Sequence, residues 1–416
     1  MDNPVRSPIL SAMTHDSDIL IIGGGLNGPA LALGLAQAGF DVTVIDALAE
    51  KVRKNAGFDG RSYALALASV RLLAGIGVWP QVADKAQPML EIKVSDGRAG
   101  EGASPFFMHF DHAEIEEGPM GHMLEDRHLR RAFLKAMEDE GKITHLAGET
   151  VVSQSVDGSG VQVTLASGRS VTGQLLIGSD GRGSGTATRA GITRTGWGYG
   201  QTALVAAVEH EHPHNGVAHQ FFMPSGPLAI LPLKGDVSSI VWSETDESAA
   251  QFAALNDADF LEVLRPRFGD FLGDILLRGK RYTYPLSLSI ANSFVAPRVA
   301  LVGDAAHGVH PLAGQGLNAG LRDVGALVQV LVEARARGED IAAADVLARY
   351  QQWRRFDTAS LAVVTDLTNR LFSNDNPVLR LGRDLGMGAI NAMPGLRRAF
   401  VREAAGLTGE LPALMR

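Results

Sequence analysis

The chain lacks cysteine, long apolar runs and any surplus of positive charge, and each lack removes a class of function. With no cysteine among 416 residues there is no disulfide, no thiolate nucleophile and no Cys-ligated zinc or iron–sulfur site. Lys and Arg number 38 against 46 Asp and Glu, a formal net charge of -8, which argues against a nucleic-acid binder because phosphate neutralisation needs clustered cations. No apolar run reaches the ~18 residues that a bilayer span needs. The polar, proline-containing stretch Met1 to Ser17 carries no hydrophobic signal core. The expectation is a cytoplasmic protein with residues 1–15 as a disordered lead. What is present is a globular composition, 45% hydrophobic and 20% charged, in a chain long enough for two interleaved domains.

Asp18 to Ile22 reads as a short apolar strand that runs straight into Gly23-Gly24-Gly25-Leu26-Asn27-Gly28. Pro29 to Ala38 reads as a helix closed by Gly39, and Asp41 to Ile45 as a second strand ending at Asp46. In such a unit Gly23 permits a tight turn, Gly25 lets backbone approach a pyrophosphate, and Gly28 lets the helix pack closely. The free N–H groups at the helix start favour anions. Asp46, 18 residues past Gly28, stands where an acid accepts hydrogen bonds from an adenosine ribose. This unit does not separate NAD from FAD.

A second stretch does. Val299 to Val302 is a buried apolar strand that ends in Gly303-Asp304, followed by a proline, a glycine-rich turn and a helix. A carboxylate at a strand tip can grip a polyol, and a second contact so far along the chain implies an extended ligand. That points to a ribityl chain and hence a flavin.

Between these stretches, Leu129 to Glu140 reads as an amphipathic helix following Arg127, and Val151 to Ser155 with Val161 to Leu165 as a hairpin. Leu175 to Ile177 is a buried strand ending in Gly178-Ser179-Asp180-Gly181. From Tyr199 to about Ala291 the pattern alternates, with strands over Thr202 to Glu209, Ala218 to Met223, Leu228 to Leu233 and Val237 to Trp242, and a helix near Asp257 to Phe268. The expected division is a nucleotide-binding domain over 16–85, 125–196 and 292–372, a sheet domain over 86–124 and 197–291, and a helical region over 373–416.

These motifs, in this order, resemble the class A FAD-dependent aromatic monooxygenases. The matches are Gly23-x-Gly25-x-x-Gly28, Asp180-Gly181 with Ser184, and Gly303-Asp304. His310-Pro311-Leu312-Ala313-Gly314-Gln315-Gly316-Leu317-Asn318-Ala319-Gly320-Leu321-Arg322-Asp323 is more specifically similar to the hydroxylases of ubiquinone biosynthesis. So are Asp59 to Leu65 and Gly226 to Leu233.

The resemblance implies an α/β protein, with a Rossmann-like FAD-binding domain interleaved with a mainly antiparallel β-sheet substrate domain and a helical C-terminal region. It implies that Asp304 holds the ribityl chain and that Pro311 lies beside the isoalloxazine. The backbone of Gly314, Gln315, Gly316, Leu317 and Asn318 then faces the pyrimidine edge, where a helix N-terminus stabilises the anionic reduced flavin. Arg61 and Arg127 contact FAD or the reductant, and Asp180 and Gly181 support both. The implied reaction is hydroxylation of a polyprenylated phenol by O₂ through a flavin C4a-hydroperoxide, with NADH or NADPH as reductant and no covalent side-chain catalyst.

The resemblance departs at Ala187, where relatives often carry Arg, and at Asp46, where Glu is commoner. The first leaves the pyridine-nucleotide contact open. Alternatives are a hydroxylase of a small soluble aromatic, a flavin-dependent isoprenoid reductase, and a non-catalytic accessory protein of a quinone-synthesis complex.

Three further signals are weighed and set lower. His210, His212, His214 and His219 imitate a metal cluster, but Pro213 breaks the strand alternation and no H-E-x-x-H motif is near; the reading is a solvated loop and no metal. His307 and His310 flank the glycine-rich turn and read as structural hydrogen-bonding residues. The stretch Pro377 to Val401 mixes apolar residues with arginines. It reads as a helical tail packed on the body, or as a surface for the inner face of a membrane or a partner protein.

Overall fold

The computed structural model describes residues 15–308, 315–372, 386–388 and 390–416. The first of its sheets orders strands Val295–Ala296, Val299–Leu301, Ser170–Gly178, Ser17–Ile22, Val42–Asp46 and Ile143–Ala147. Its centre is parallel, with Ile19 opposite both Val42 and Leu175. Ile19, Leu20 and Ile21 are fully buried. Such unbroken apolar runs suit parallel strands covered on both faces. The hairpin Val151–Val156 and Val161–Leu165 pairs onto Ser170–Gly178.

Helix Asn27–Gln37 is buried from Gly28 through Ala36. A helix apolar all round belongs inside a core. It packs on helix Gln315–Ala336, and a Cβ on Gly34 would lie 3.0 Å from Val328.

The second sheet orders His307–Gly308, Ile275–Ala291, Arg194–His210, Val237–Thr245, Gly226–Leu233, Val217–Met223, Glu91–Arg98 and Gly102–Asp111. Its pairings are antiparallel apart from Val217–Met223 on Glu91–Arg98, which is parallel. Helices Asp246–Ala254 and Asp257–Phe268 cover one face, where Ile240, Trp242, Phe260, Leu264 and Phe268 form a core.

Each strand expected between Thr202 and Trp242 is present inside a longer one. Ile275–Ala291 was not expected, because its middle, Arg278 to Pro285, has no apolar alternation. Pro285 is tolerated because, among the described residues, His307–Gly308 pairs with Ser289 and Ile290 on that side and Pro285 has one strand neighbour, at Thr202.

A small sheet joins Ser62–Ala66, Gly121–Glu125 and Gln87–Met89. The long helix Ala344–Phe372 is fastened to the first sheet by the Tyr350 hydroxyl, which donates to the Leu301 carbonyl at 2.7 Å.

The chain leaves the first sheet at Leu301 and enters the second at His307. Gly303 and Asp304 therefore stand where the two sheets meet.

Candidate cofactor site

The glycine turn is built by short backbone contacts. Gly23 has φ +113°, its N–H donates to the Ile45 carbonyl at 2.8 Å, and a Cβ there would lie 2.3 Å from the Ser179 carbonyl oxygen. A Cβ on Gly28 would lie 1.9 Å from the Gly23 carbonyl oxygen, so the third glycine is required by the turn itself. A Cβ on Gly25 meets nothing within 4 Å. Open space thus lies at the start of helix Asn27–Gln37, where unpaired N–H groups favour an anion.

Asp46 ends its strand 2% exposed. Its carboxylate accepts from Arg53 Nε at 2.8 Å, Arg53 Nη2 at 2.9 Å and the Leu48 N–H at 3.1 Å. A carboxylate has about four acceptor positions, so the acid reserved for a ribose by its position is already largely occupied. Arg53 was not foreseen; nothing in a four-residue helix, Glu50–Arg53, announces it.

The far half is assembled around a buried carboxylate. Asp323, His307 and Arg354 are each at most 1% exposed. Asp323 accepts from the Gly303 N–H at 2.9 Å, from His307 Nε2 at 2.6 Å and from Arg354 Nε at 2.7 Å. Burial alone would raise the Asp323 carboxyl, but His307 and Arg354 outweigh it and hold the group below its usual value. From the other side Arg194 donates to the carbonyls of Asp304, Ala305 and Ser289. The strand tip is therefore held by charge-assisted hydrogen bonds to its backbone on both flanks. Asp304 itself is half-exposed, 3.2 Å from Arg182 Nε.

Asn27 connects the halves. A Cβ on Gly303 would lie 2.1 Å from its Nδ2, and one on Gly320 2.4 Å from the same atom. Its Oδ1 is buried with no hydrogen-bond partner. A buried amide oxygen left without a donor costs free energy unless a ligand supplies one. Sequence reasoning passed over Asn27; the signal was a polar side chain inside a glycine motif.

Among the turn residues, Pro311, Gly314 and His310 lie outside the described residues. Gln315 opens helix Gln315–Ala336, Gly316 has open space where a Cβ would stand, and Leu317 is partly buried. The Asn318 side chain fastens this helix to strand Ser62–Ala66. It accepts from the Ala66 N–H at 2.9 Å and Ser69 Oγ at 2.7 Å, and donates to the Ala64 carbonyl at 2.8 Å.

The remaining positions are engaged with the protein. Asp180 accepts from Ser184 Oγ, the Thr186 N–H and Thr186 Oγ1, so its carboxylate starts the short helix Gly185–Arg189. Gly181 adopts φ +82° in open space. Arg189 turns away to Gln154 and the Val151 carbonyl. Arg61 pairs with Asp59 at 2.7 Å and Asp126 at 3.3 Å, its guanidinium 5.9 Å from the Tyr282 ring centre. Tyr63 donates to the same Asp126, and burial pushes its hydroxyl pKa up. Arg127 pairs with Glu125 and lies 5.4 Å from the Phe58 ring centre.

The histidines are not a solvated loop as a whole. His210 is buried against the His212 carbonyl and Ser238 Oγ, and His214 Nε2 bonds the Leu233 carbonyl. His219 lies between Phe271 and Phe221, and burial pushes its pKa down to about 4. Among the described residues no group of three or more His, Cys, Asp or Glu is placed to hold a metal.

In helix Pro394–Ala404, Arg397 pairs with Glu114 and Arg402 with Glu117, leaving Met393, Leu396 and Phe400 half-exposed. Among the described residues no helix is long and apolar enough to cross a membrane.

The model of the FAD-binding-domain family matches residues 16–363. A ubiquinone hydroxylase of Rhodospirillum rubrum, UbiL, is 45% identical over 98% of this chain and 95% of its own length. The 3-demethoxyubiquinol 3-hydroxylase of Escherichia coli is 36% identical over 94% of this chain and 99% of its own. Among solved structures, the p-nitrophenol 4-monooxygenase PnpA of Pseudomonas putida superposes with a TM-score of 0.78, covering 94% of this chain and 98% of that one at 19% identity. That last likeness is one of fold.

Proposed function

The chain belongs to the FAD-binding-domain family that includes the ubiquinone-biosynthesis hydroxylases, and from that premise we propose that it hydroxylates the aromatic ring of a polyprenylated phenol in ubiquinone biosynthesis, consuming O₂ and NADH or NADPH. The observation that carries this reading is Asn27 wedged against Gly303 and Gly320, which makes two glycine-lined cradles far apart in sequence into one cleft. An extended dinucleotide fits such a cleft, and the buried, donorless Asn27 Oδ1 fits a site completed by a ligand. Bound FAD, reduced by the nicotinamide nucleotide, supplies the oxygen-activating chemistry.

The protein's own work is binding and orientation. Gly23, Gly25 and Gly28 bring helix N–H groups to the pyrophosphate. Asp46 shares its remaining acceptor position with the adenosine ribose beside Arg53. Asp304 takes the ribityl chain, held in place by Arg194 and by Asp323 behind Gly303. The backbone of Gly316, Leu317 and Asn318 presents N–H groups to the electron-rich edge of the flavin. Asp180 and Gly181 shape the opposite wall, and Arg61 and Arg127 stand at the rim for the reductant. The second sheet closes the ring pocket near Leu228 to Leu233 and keeps water from the reacting atoms. A polyprenyl substrate places the protein at the inner face of the cytoplasmic membrane, where Met393, Leu396 and Phe400 offer an apolar contact.

The experiment is lipid-extract mass spectrometry of a strain lacking the gene, paired with absorbance of the purified protein. A prenylphenol one oxygen short should accumulate, and the protein should show the two-band yellow flavin spectrum. A colourless protein that stays colourless with added FAD refutes the reading.

A further inference from the structure

Helix Ala344–Phe372 carries Thr358, Ala359, Ala362, Val363 and Leu367 at spacings of three and four residues, so they share one face. That face is one wall of a groove of about 400 Å³, within the usual range for small-molecule clefts. From Thr358 to Leu367 the wall runs about 14 Å. Trp197 and Ile290, at the end of the second sheet, form the facing wall.

The groove is apolar and open. Trp197 is 43% exposed, Val363 56% and Leu367 61%. Exposed apolar side chains gathered on a concave surface mark a binding site rather than scattered surface residues.

The groove also has a direction. At one end Thr358 is 2% exposed and its Oγ1 has no hydrogen-bond partner. One turn earlier Arg354 bonds Asp323, which bonds the Gly303 N–H, so this end is the one near the strand tip. The facing wall is tied to the same segment, with Ile290 paired to His307 and the Ala291 N–H donating to the Ala306 carbonyl at 2.8 Å. The far end, toward Leu367, is open to solvent, with Val363 and Leu367 as its apolar side chains and Asp366 beside them.

We propose that this groove seats the isoprenoid tail of the substrate, with the oxygen-bearing ring end toward Thr358 and the distal units toward Leu367. The inference rests on the hydroxylase reading above. An elongated hydrocarbon chain with a polar head matches the length, the mainly apolar walls with Arg355 and Asp366 at their edges, and the unpartnered Thr358 hydroxyl.

The test is hydroxylation by the FAD-loaded enzyme of phenol, 2-prenylphenol, 2-geranylphenol and 2-farnesylphenol. In the wild type KM should fall about tenfold per seated isoprene unit, ~1.4 kcal/mol each, and level off once the groove is full. Ala359→Trp blocks the groove and Val363→Glu puts a charge in it. In either variant the ratio of KM for phenol to KM for 2-farnesylphenol should shrink at least tenfold. Val363 is exposed enough that its variant should fold if Ala359→Trp does not, and bound-flavin absorbance and circular dichroism establish which variants are native. A ratio kept at the wild-type value in the native variants overturns the groove while leaving the hydroxylase reading intact. A wild type indifferent to tail length also overturns the groove. A wild type that hydroxylates none of the phenols overturns both.

Discussion

Asp323→Asn should destabilise the protein by about 3–5 kcal/mol, the usual cost of removing one partner from a buried ion pair. The perturbation is small in shape and large in charge. Asp323 is fully buried and receives three donors, the Gly303 N–H, His307 Nε2 and Arg354 Nε. An amide in its place leaves Arg354 with Asp357 as its carboxylate partner among the described residues and turns an N–H₂ toward a donor. Arg354→Met should cost about as much, by stranding the carboxylate.

The double variant Asp323→Asn/Arg354→Met separates this account from simple loss of contacts. Removing both charges removes the desolvation cost with the attraction, and the Asn oxygen still accepts from the Gly303 N–H and His307 Nε2, so what remains is a buried amide N–H₂ facing the methionine without an acceptor, about 1–3 kcal/mol. The double variant should therefore be more stable than either single one, a strongly non-additive cycle. The assay is urea unfolding of the FAD-free protein followed by tryptophan fluorescence. FAD titration runs in parallel, because Gly303 and Asp304 share the tether and affinity should fall in the single variants. If Asp323→Asn costs less than about 1 kcal/mol, or the double variant shows the sum of the singles, the network does not hold the strand tip as described.

Two glycines should respond in opposite ways. Gly28→Ala forces a Cβ to 1.9 Å from a carbonyl oxygen and should yield little folded protein, whereas Gly25→Ala meets nothing within 4 Å and should fold normally yet bind FAD more weakly. Gly25→Ala with undiminished FAD affinity by fluorescence titration would place the cofactor elsewhere. His219 protonates near pH 6.5 when unfolded and only near about 4 when folded, so its contribution is complete above pH 6.5 and is lost as pH falls through about 4. The loss amounts to up to about 3 kcal/mol. His219→Phe should flatten that part of the stability–pH curve, and an unchanged acid limb in denaturant titrations would contradict the buried, neutral ring.

What was legible in the sequence was local. The left-handed φ at Gly23, the helix read from Pro29 and found over Asn27–Gln37, and the buried parallel strands follow from backbone sterics and apolar runs within a few residues. The alternation between Thr202 and Trp242 likewise carried its own sheet, because period-two burial is a property of the strand itself. Ile275–Ala291 was not legible: its polar middle is held by pairing with Arg194–His210 and not by its own pattern. Nor was the Arg53 grip on Asp46, or the meeting of Asp323, His307 and Arg354 behind Gly303. Such partners are chosen by where helices and strands come to rest, and a buried charge is satisfied by whatever donor the packing delivers. The glycine motifs are legible in the sequence; only the tertiary structure brings Asn27 of the first against Gly303 and Gly320 of the second, because contact between segments far apart in sequence is fixed by tertiary packing rather than by spacing along the chain.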